Sequence, residues 1–294
     1  MAKRRLTMMA VVLGLSTQAS QAYLLNPSDF ATEVVQYIQG SGVTTDVFSG
    51  KTFNDPATAL GRPTVDTTGD GMSMPLGAAV PVVPVYGAFR AHELVSVGQG
   101  GSLTVKFDHR VMNDPGNPYG LDLIVFGNAA GAGNDYWANG DPNAMQLGRG
   151  IREEKGIVSV SQDGEHWYTF ANGPFADDSA PTLGRIYAPE EPVVGQWWGE
   201  PTNPTLPLDP TLTEPSLTGK TVAEIAQLYG HSAGGTGFDI GSLGLEWIQY
   251  VRIENPEGSG VTPDIDAFAD VAAIPEPGWL GVGIGIVMLM RRRR

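Results

Sequence analysis

The chain of 294 residues contains no cysteine. Disulfide bonds, thiolate zinc sites, iron–sulfur clusters and cysteine nucleophiles are therefore excluded, although this absence does not decide the compartment. Basic residues are also few, since 18 of them stand against 32 acidic residues and the formal net charge is −14. A nucleic-acid-binding protein needs a basic face to displace counterions, so the charge balance argues against a nucleic-acid partner.

Glycine and proline are plentiful instead, with 39 and 22 residues. This content favours many turns over long helices and argues against a helical bundle. Hydrophobic residues make up 41% of the chain, which is enough to bury a core. The length is compatible with one or two domains.

The first 22 residues have the pattern of an export signal. Three basic residues at 3–5 precede a ten-residue apolar stretch at 6–15, and small residues follow at Ser20 and Ala22. This order is typical of a signal peptide that signal peptidase removes. The alternative, a buried N-terminal helix, would bury three adjacent cations without partners. We therefore expect cleavage after Ala22 and an exported protein.

The other end carries a second pattern. A Pro-Glu-Pro sequence precedes thirteen uncharged residues at 278–290, and four arginines follow; the motif comprises Pro275, Glu276, Pro277, Arg291, Arg292, Arg293 and Arg294. Thirteen helical residues cover about 20 Å, whereas the hydrocarbon core of a bilayer is about 30 Å thick. The segment suits a transient membrane handle better than a permanent anchor, although a simple tail anchor is the alternative.

This arrangement resembles the PEP-CTERM sorting signal of exported bacterial proteins, which the membrane transpeptidase exosortase recognises. The resemblance implies transient association with the inner membrane and processing near residues 275–277. It also implies delivery to the cell surface or extracellular matrix, commonly in bacteria that make extracellular polysaccharide. The two end segments hold seven basic residues and Glu276, so their removal leaves 11 basic and 31 acidic residues. The mature net charge of about −20 would keep the protein soluble and attract cations.

The pattern of the segment between the ends, residues 23–274, predicts one mainly β domain. Polar and apolar residues alternate at 103–108, and residues 121–126 are apolar on nearly both faces, as in a central strand. An Asp-Gly pair inside 157–170 predicts a hairpin. Further strands are predicted at 247–254, with Trp247, Val251 and Ile253 on one face, and at 265–271. Together these strands predict an antiparallel β-sandwich.

Helical patterns are few. Asn26 and Pro27 can cap and begin a helix that runs to Ile38, and Asp55 can begin a single turn that ends at Gly61. Thr221 and Glu224 form a capping box, and we expect that helix to end at Gly230. Nine prolines at 171–218 predict a long irregular segment.

The body also resembles a family of bacterial cell-surface PEP-CTERM proteins. The matching segments are GGSLTVKF at 100–107, GLDLIVFGN at 120–128, VSVSQDGEHW at 158–167, GFDI at 237–240, YVRI at 250–253 and a closing PDIDAF at 263–268. In the closing motif the family has an aromatic residue where this chain has Pro263. The resemblance implies a galactose-binding-like jelly roll, and no activity is known for the family.

One sequence pattern invites a catalytic interpretation. Residues 230–234 match the G-x-S-x-G elbow of serine hydrolases around Ser232. That elbow needs a strand before the serine and a helix after it, whereas a predicted helix precedes Ser232 and glycines follow. No histidine lies downstream of His231, although the hydrolase order requires one. We therefore interpret the motif as a glycine-rich turn.

Carboxylates are the stronger candidates for a ligand site, because oxygen ligands suit calcium outside the cell. Asp264 and Asp266 lie two apart on a predicted strand and would share a face, and Glu254 could join them from the preceding strand. Asp66 and Asp70 lie four apart in a glycine-containing loop without the EF-hand pattern. The alternative for both clusters is that the acids are solvated and make turn hydrogen bonds.

Aromatic residues in loops give a second candidate site. Trp137, Trp197 and Trp198 lie in predicted loops, where exposed rings could stack on sugar faces. The alternative is that they fasten these loops to the sandwich.

The sequence therefore predicts an exported surface protein with a non-catalytic structural or ligand-binding role. One alternative is a calcium-dependent carbohydrate-binding module, with calcium as its cofactor and extracellular polysaccharide as its partner. A secreted carbohydrate-active hydrolase with two carboxylates facing each other in a cleft is another.

Overall fold

Antiparallel strands make up most of the regular structure in the computed structural model, which describes residues 25–72, 74, 76–133, 142–186 and 199–272. In chain order the strands are β1 (Glu33–Ile38), β2 (Asp66–Thr68), β3 (Ala79–Pro81), β4 (Val95–Ser96), β5 (Gly101–Met112), β6 (Leu123–Gly127), β7 (Ala130–Gly133), β8 (Leu147–Arg152), β9 (Ile157–Ser161), β10 (Tyr168–Thr169), β11 (Thr236–Phe238), β12 (Trp247–Asn255) and β13 (Asp264–Asp270). Two α-helices, α1 (Glu214–Leu217) and α2 (Val222–Tyr229), and several 3₁₀ turns complete the described part.

Two antiparallel sheets form the body. One has the strand order β1-β5-β12-β9-β10, and the other has the order β11-β6-β13-β4. Two small ribbons, β2-β3 and β7-β8, stand apart from them. The predicted mainly β, antiparallel sandwich is confirmed.

The main core lies between the two sheets. Leu103, Val105 and Phe107 of β5 are fully buried on one face, as their alternation predicts. They belong to the same apolar cluster as Val125 of β6 and Phe268 of β13. Burying such side chains contributes about 1.5–3 kcal/mol each, so this layer holds the sheets face to face.

The four-stranded sheet is covered on its second face as well. Ile124 and Phe126 of β6 point away from the main core and pack with Phe30, Ala233 and Ala267. Because β6 lies between β11 and β13 and is buried on both sides, it is the central strand that its continuous apolar run predicts.

Three local predictions are confirmed. Strands β9 and β10 pair as a hairpin whose turn is organised by the Asp163 carboxylate, which accepts the backbone N–H groups of Glu165 and His166 at 2.8 Å. Helix α2 begins at the capping box, where the Glu224 carboxylate accepts the Thr221 N–H at 2.8 Å, and it ends at Gly230. A 3₁₀ turn also follows Asp55, as expected.

The helix predicted from Asn26 to Ile38 is wrong. Asn26 caps only a short 3₁₀ turn, and the chain then continues as β1, which pairs with β5. Val34, Tyr37 and Ile38 have helical spacing, but Val34 and Tyr37 pack against the main core from an edge strand. Pairing with a strand distant in sequence has overridden the local pattern.

The face predicted for Trp247 is also wrong. The register of β12 shifts between Ile248 and Tyr250, so Ile248 enters the core with Val251 while Trp247 turns outward. The Arg110 guanidinium lies 4.1 Å from the centre of the Trp247 ring. A single irregularity has exchanged the faces of two neighbouring side chains.

Among the described residues, no helix is long and apolar enough to cross a membrane. The predicted signal peptide at 1–22 and the predicted sorting segment at 275–294 lie outside the described residues.

Candidate functional site

Loops at one end of the four-stranded sheet surround a cleft of about 970 Å³, here called the loop-end cleft. Strand β6 ends there and β13 begins there, so Asn128 and Asp264 lie side by side at the sheet edge. The segment after β1 contributes Thr44, and the segment after β8 contributes Glu154. The polar groups at the base of the cleft thus come from four separate parts of the chain.

Asp264 is the most constrained carboxylate of this cleft. It is 1% exposed, and its oxygens accept the Ser96 hydroxyl at 2.5 Å, the Thr44 hydroxyl at 3.1 and 3.2 Å, and the Asn128 amide at 3.3 Å. Burial raises the pKa of Asp264 to about 7, and the charge of Glu154 acts in the same direction. Asp264 therefore ties the loop at Thr44 to β4 and β13.

A second buried carboxylate lies directly behind it. The Asp177 carboxylate accepts the Asp264 N–H at 3.2 Å and the Ala129 N–H at 2.9 Å. Burial and the neighbouring Asp264 raise its pKa well above the usual range. Gly127 makes room for this arrangement, because a Cβ at that position would collide with the Asp177 carboxylate.

Glu154 is the third acid of the group. It lines the loop-end cleft, and burial raises its pKa although the nearby Arg152 opposes the shift. Glu154 raises the pKa of both Asp264 and Asp177, and Asp264 also raises that of Asp177, so these carboxyl groups hold their protons more strongly than isolated ones do.

Exposed apolar side chains form part of the rim of the cleft. Val47 and Met72 line it with 83% and 79% of their surface exposed. Tyr86 and Phe89 form part of its wall, with their rings edge to face at 5.3 Å. An exposed apolar rim around a polar floor is typical of a surface that binds a partner.

The structure separates the acids that the sequence grouped together. Asp266 is 2% exposed, and it accepts the Thr64 N–H and hydroxyl at 2.9 Å rather than sharing partners with Asp264. Burial raises its pKa to about 7.

The expectation that Glu254 would join Asp264 and Asp266 is wrong, because Glu254 lies on the outer face of the other sheet. There it accepts the Ser159 hydroxyl at 3.3 Å and pairs with Arg252 at 3.1 Å.

The second predicted acidic pair is also divided. Asp66 begins β2 and forms a two-point ion pair with Arg185, whose Nε lies 2.7 Å from its Oδ1. Asp70 lines the loop-end cleft and accepts the N–H groups of Met72 and Met74 at 2.8 and 3.1 Å. It therefore makes the turn hydrogen bonds that the alternative to calcium binding predicts.

Within the described ranges, no group of three or more His, Asp or Glu side chains is arranged to hold a metal ion. Calcium binding stays a prediction. Trp137, Trp197 and Trp198 lie outside the described residues, as do Pro275–Pro277 and Arg291–Arg294, so their predicted roles stay predictions too.

Ser232 has the structural role that its context predicts. It is 1% exposed, and its hydroxyl accepts the Gly234 N–H at 3.0 Å in the turn after α2. Gly234 and Gly235 have φ of +80° and +78°, which glycine adopts without strain. The chain leaves the helix here and enters β11.

Sequence reasoning missed several residues of the cleft and the carboxylate behind it. Thr44, Asn128, Glu154 and Asp177 are far apart in the chain and carry no shared motif. Only Asn128 could have been proposed from its position in the sequence. It follows directly after a predicted central strand, and ligand-binding groups often lie on the loops that follow strands.

Comparison with known protein families finds no matching family, and comparison with curated proteins finds no match either. The function must therefore be argued from the residues themselves.

Proposed function

We propose that this chain is an exported protein of the bacterial cell surface or extracellular matrix, and that its sandwich is a non-catalytic ligand-binding module. The export half of the proposal is supported by two sequence patterns, the basic and apolar residues at 1–22 and the Pro-Glu-Pro, apolar and arginine order at 275–294. Exosortase would act on the second segment and signal peptidase on the first.

Cell fractionation tests the export proposal. The natural chain is expected at the surface or in the medium, shortened at both ends, when the cells contain exosortase. A variant without residues 291–294 is expected to stay in the inner membrane with its apolar segment uncut, because the basic cluster no longer fixes its orientation. A natural chain that accumulates uncut in the inner membrane of exosortase-containing cells would contradict the proposal.

The binding half rests on the loop-end cleft. Its floor offers the Asn128 amide, the Thr44 hydroxyl and the Glu154 carboxylate, and its rim exposes Val47 and Met72. A saccharide presents hydroxyl groups around its edge and C–H groups on its faces, so it fits polar groups below an apolar rim. Extracellular polysaccharide is therefore the proposed partner.

The contacts of Asp264 support a non-catalytic role. Its two oxygens accept three side-chain donors from the protein itself, which leaves the carboxyl group committed to the fold. A secreted hydrolase is the second candidate, because Asp264 and Glu154 line the same cleft and both have raised pKa values. A hydrolase needs one such group as acid and another as base or nucleophile.

Binding to fragments of the extracellular polysaccharide from the producing cells, measured by calorimetry with the purified chain, tests this half. A Val47→Ser/Met72→Ser double variant is expected to bind at least about tenfold more weakly, because the rim no longer shields the apolar faces of the sugar rings. Leu228→Ser is the matched control, since Leu228 is an exposed apolar residue on α2 outside the cleft.

Equal affinity of the double variant and the natural chain would contradict the proposal that the loop-end cleft binds the saccharide. Steady release of reducing ends, abolished by Asp264→Asn, would establish the hydrolase instead. Repeating the titration with a calcium chelator tests the calcium-dependent module, which predicts loss of binding and a lower melting temperature that added calcium restores.

A further inference from the structure

A second cleft of about 740 Å³ lies on the other side of the loop at residues 45–52 and is here called the arginine cleft. Arg90 lines it, and its guanidinium group is fixed on two sides. The Arg90 Nε donates to the Asp46 carboxylate at 3.0 Å. The guanidinium carbon lies 5.1 Å from the centre of the Phe48 ring and 5.8 Å from that of Phe89. Ring contact and ion pair together hold one orientation of the side chain.

The carboxylate that fixes Arg90 is itself built into the fold. Asp46 is 1% exposed and accepts the N–H groups of Phe48 at 2.9 Å, Ser49 at 3.2 Å and Ala91 at 3.3 Å. Although burial opposes the shift, the Ser49 hydroxyl, the Phe48 N–H, Arg90 and the Ser49 N–H hold the pKa of Asp46 well below its usual range. Asp46 therefore stays ionised across the physiological pH range.

The backbone at Arg90 is fixed as well. The buried Glu93 carboxylate accepts the N–H groups of Phe89 and Arg90, both at 3.1 Å. It also accepts the Thr67 hydroxyl at 2.9 Å, which connects this segment to β2. Two buried carboxylates thus position one arginine, and little rotational freedom is left to lose when a ligand binds.

The terminal nitrogens of Arg90 are not used by the part of the fold that the structure describes. Neither Nη atom makes a hydrogen bond to a residue that the structure describes, although the Nε does. An arginine that pairs through Nε alone still offers the two donors of its outer edge. Those donors belong to a side chain that lines an open cleft.

Two further basic side chains line the same cleft. Lys51 is exposed and has no ion pair with any described residue, and His92 is 73% exposed. The acids of the cleft are already engaged, because Asp46 pairs with Arg90 and Asp55 accepts the Ala57 N–H at 3.0 Å. The charges of Asp46, Asp55, Arg90 and Lys51 balance, so the cleft is less acidic than the chain as a whole, whose net charge is −14.

We propose that the arginine cleft binds a carboxylate group, such as that of a uronic acid residue in an acidic saccharide, through the two Nη atoms of Arg90 and the Nζ of Lys51. A planar carboxylate matches the planar edge of a guanidinium group. A single carboxylate on a sugar is also repelled less by the acidic surface of the protein than a dense polyanion is. This site does not depend on export or on the loop-end cleft.

Titration of the purified full chain with D-glucuronate and with trigalacturonate tests the proposal, with D-glucose as the uncharged counterpart. Both acids are expected to bind, and glucose is not. Arg90→Lys is expected to weaken binding of trigalacturonate at least about tenfold, because lysine keeps the charge and loses the two-point contact. Lys51→Ala is expected to weaken it about threefold to tenfold and leaves the fold intact, since Lys51 is exposed.

Arg149→Ala is the matched control for Lys51→Ala, because Arg149 is an exposed cation of β8 that does not line the arginine cleft. It removes the same charge, and it is expected to leave the affinity unchanged. The proposal is overturned if neither acid binds, if inorganic phosphate or sulfate binds and the carboxylates do not, or if Arg149→Ala weakens binding as much as Lys51→Ala. Because Lys51→Ala folds independently of Arg90, misfolding of Arg90→Lys does not remove the test.

Discussion

The natural chain is expected to lose stability as pH rises from about 4 to about 8, and an Asp264→Asn/Asp266→Asn double variant is expected to lose much less. Burial raises the pKa of both carboxyl groups to about 7. Both side chains are almost completely buried, so little solvent screening reduces the effect.

The direction follows from proton binding. Between pH 4 and pH 7 the folded chain holds protons on Asp264 and Asp266 that the unfolded chain has released, so unfolding becomes easier as pH rises. A pKa higher by about three units corresponds to about 4 kcal/mol for each group. The loss of stability caused by these two carboxyl groups is absent below pH 4 and complete above pH 7. Asparagine has the same shape and no charge, and the hydroxyls of Ser96, Thr44 and Thr64 can turn to accept from its amide. The double variant is therefore expected to be the more stable protein at pH 8.

A third site also makes the folded chain less stable as pH rises. His109 lies between Asp108 and Asp270, with both ring nitrogens 2.9 Å from a carboxylate oxygen. Burial raises the pKa of Asp270 to about 6. The pKa of His109 is also raised; burial opposes that shift, and the hydrogen bonds to the two carboxylates cause it. The stabilisation from a charged His109 is present below its unfolded pKa and is lost as pH rises through its folded pKa.

Chemical denaturation at pH 5 and pH 8 measures both effects. Glu246→Gln is the control, because Glu246 is exposed and the substitution removes a carboxylate charge without changing a buried group. The control is expected to follow the natural chain at both pH values. A natural chain that is more stable at pH 8 than at pH 5, or a double variant with the full pH dependence, would show that these carboxyl groups are not buried as described.

An Asp122→Ala variant is expected to lose about 4 kcal/mol of unfolding free energy, which is a large part of the stability of a typical domain. The Asp122 side chain is fully buried. It accepts the Asp114 N–H and the Asn117 amide at 3.0 Å and the Ile240 N–H at 3.2 Å. Alanine would leave these three donors without their acceptor; the Asn117 amide and the Ile240 N–H are buried, and each orphaned buried donor costs about 1–3 kcal/mol.

Thermal unfolding measures this loss, since about 4 kcal/mol corresponds to about 10 °C in a chain of this size. Asp122→Asn is the matched variant, because it keeps the size and one acceptor oxygen, and it is expected to lose about half as much. A melting temperature for Asp122→Ala within about 2 °C of the natural value would mean that Asp122 does not join the loop at 113–121 to the segment at Ile240.

Features with a local cause were predictable from the sequence. The alternation around Val105 follows from one strand that has a core on one side and solvent on the other. The capping box at Thr221 and the Asp-Gly turn at Asp163 satisfy backbone groups within a few residues, so their patterns are visible in the chain.

Features that depend on distant partners were not predictable. The helical spacing of Val34, Tyr37 and Ile38 fits an edge strand equally well once β5 is beside it. Asp264 was predicted as an open calcium ligand or a solvated acid, but the loop at Thr44 and strand β4 at Ser96 pack over it. No local pattern connects Asp46 with Arg90, which are 44 positions apart.

The central claim is that the loop-end cleft binds saccharide without cleaving it. Backbone amide NMR spectra of the purified chain, recorded while fragments of the extracellular polysaccharide are added, test it most directly. The account predicts shift changes at Thr44, Met72 and Asn128, none on the outer face of the five-stranded sheet at Tyr250 and Arg252, and fragments that stay intact. Shift changes centred on Tyr250 and Arg252, no shift changes at all, or fragments that shorten during the titration would contradict it.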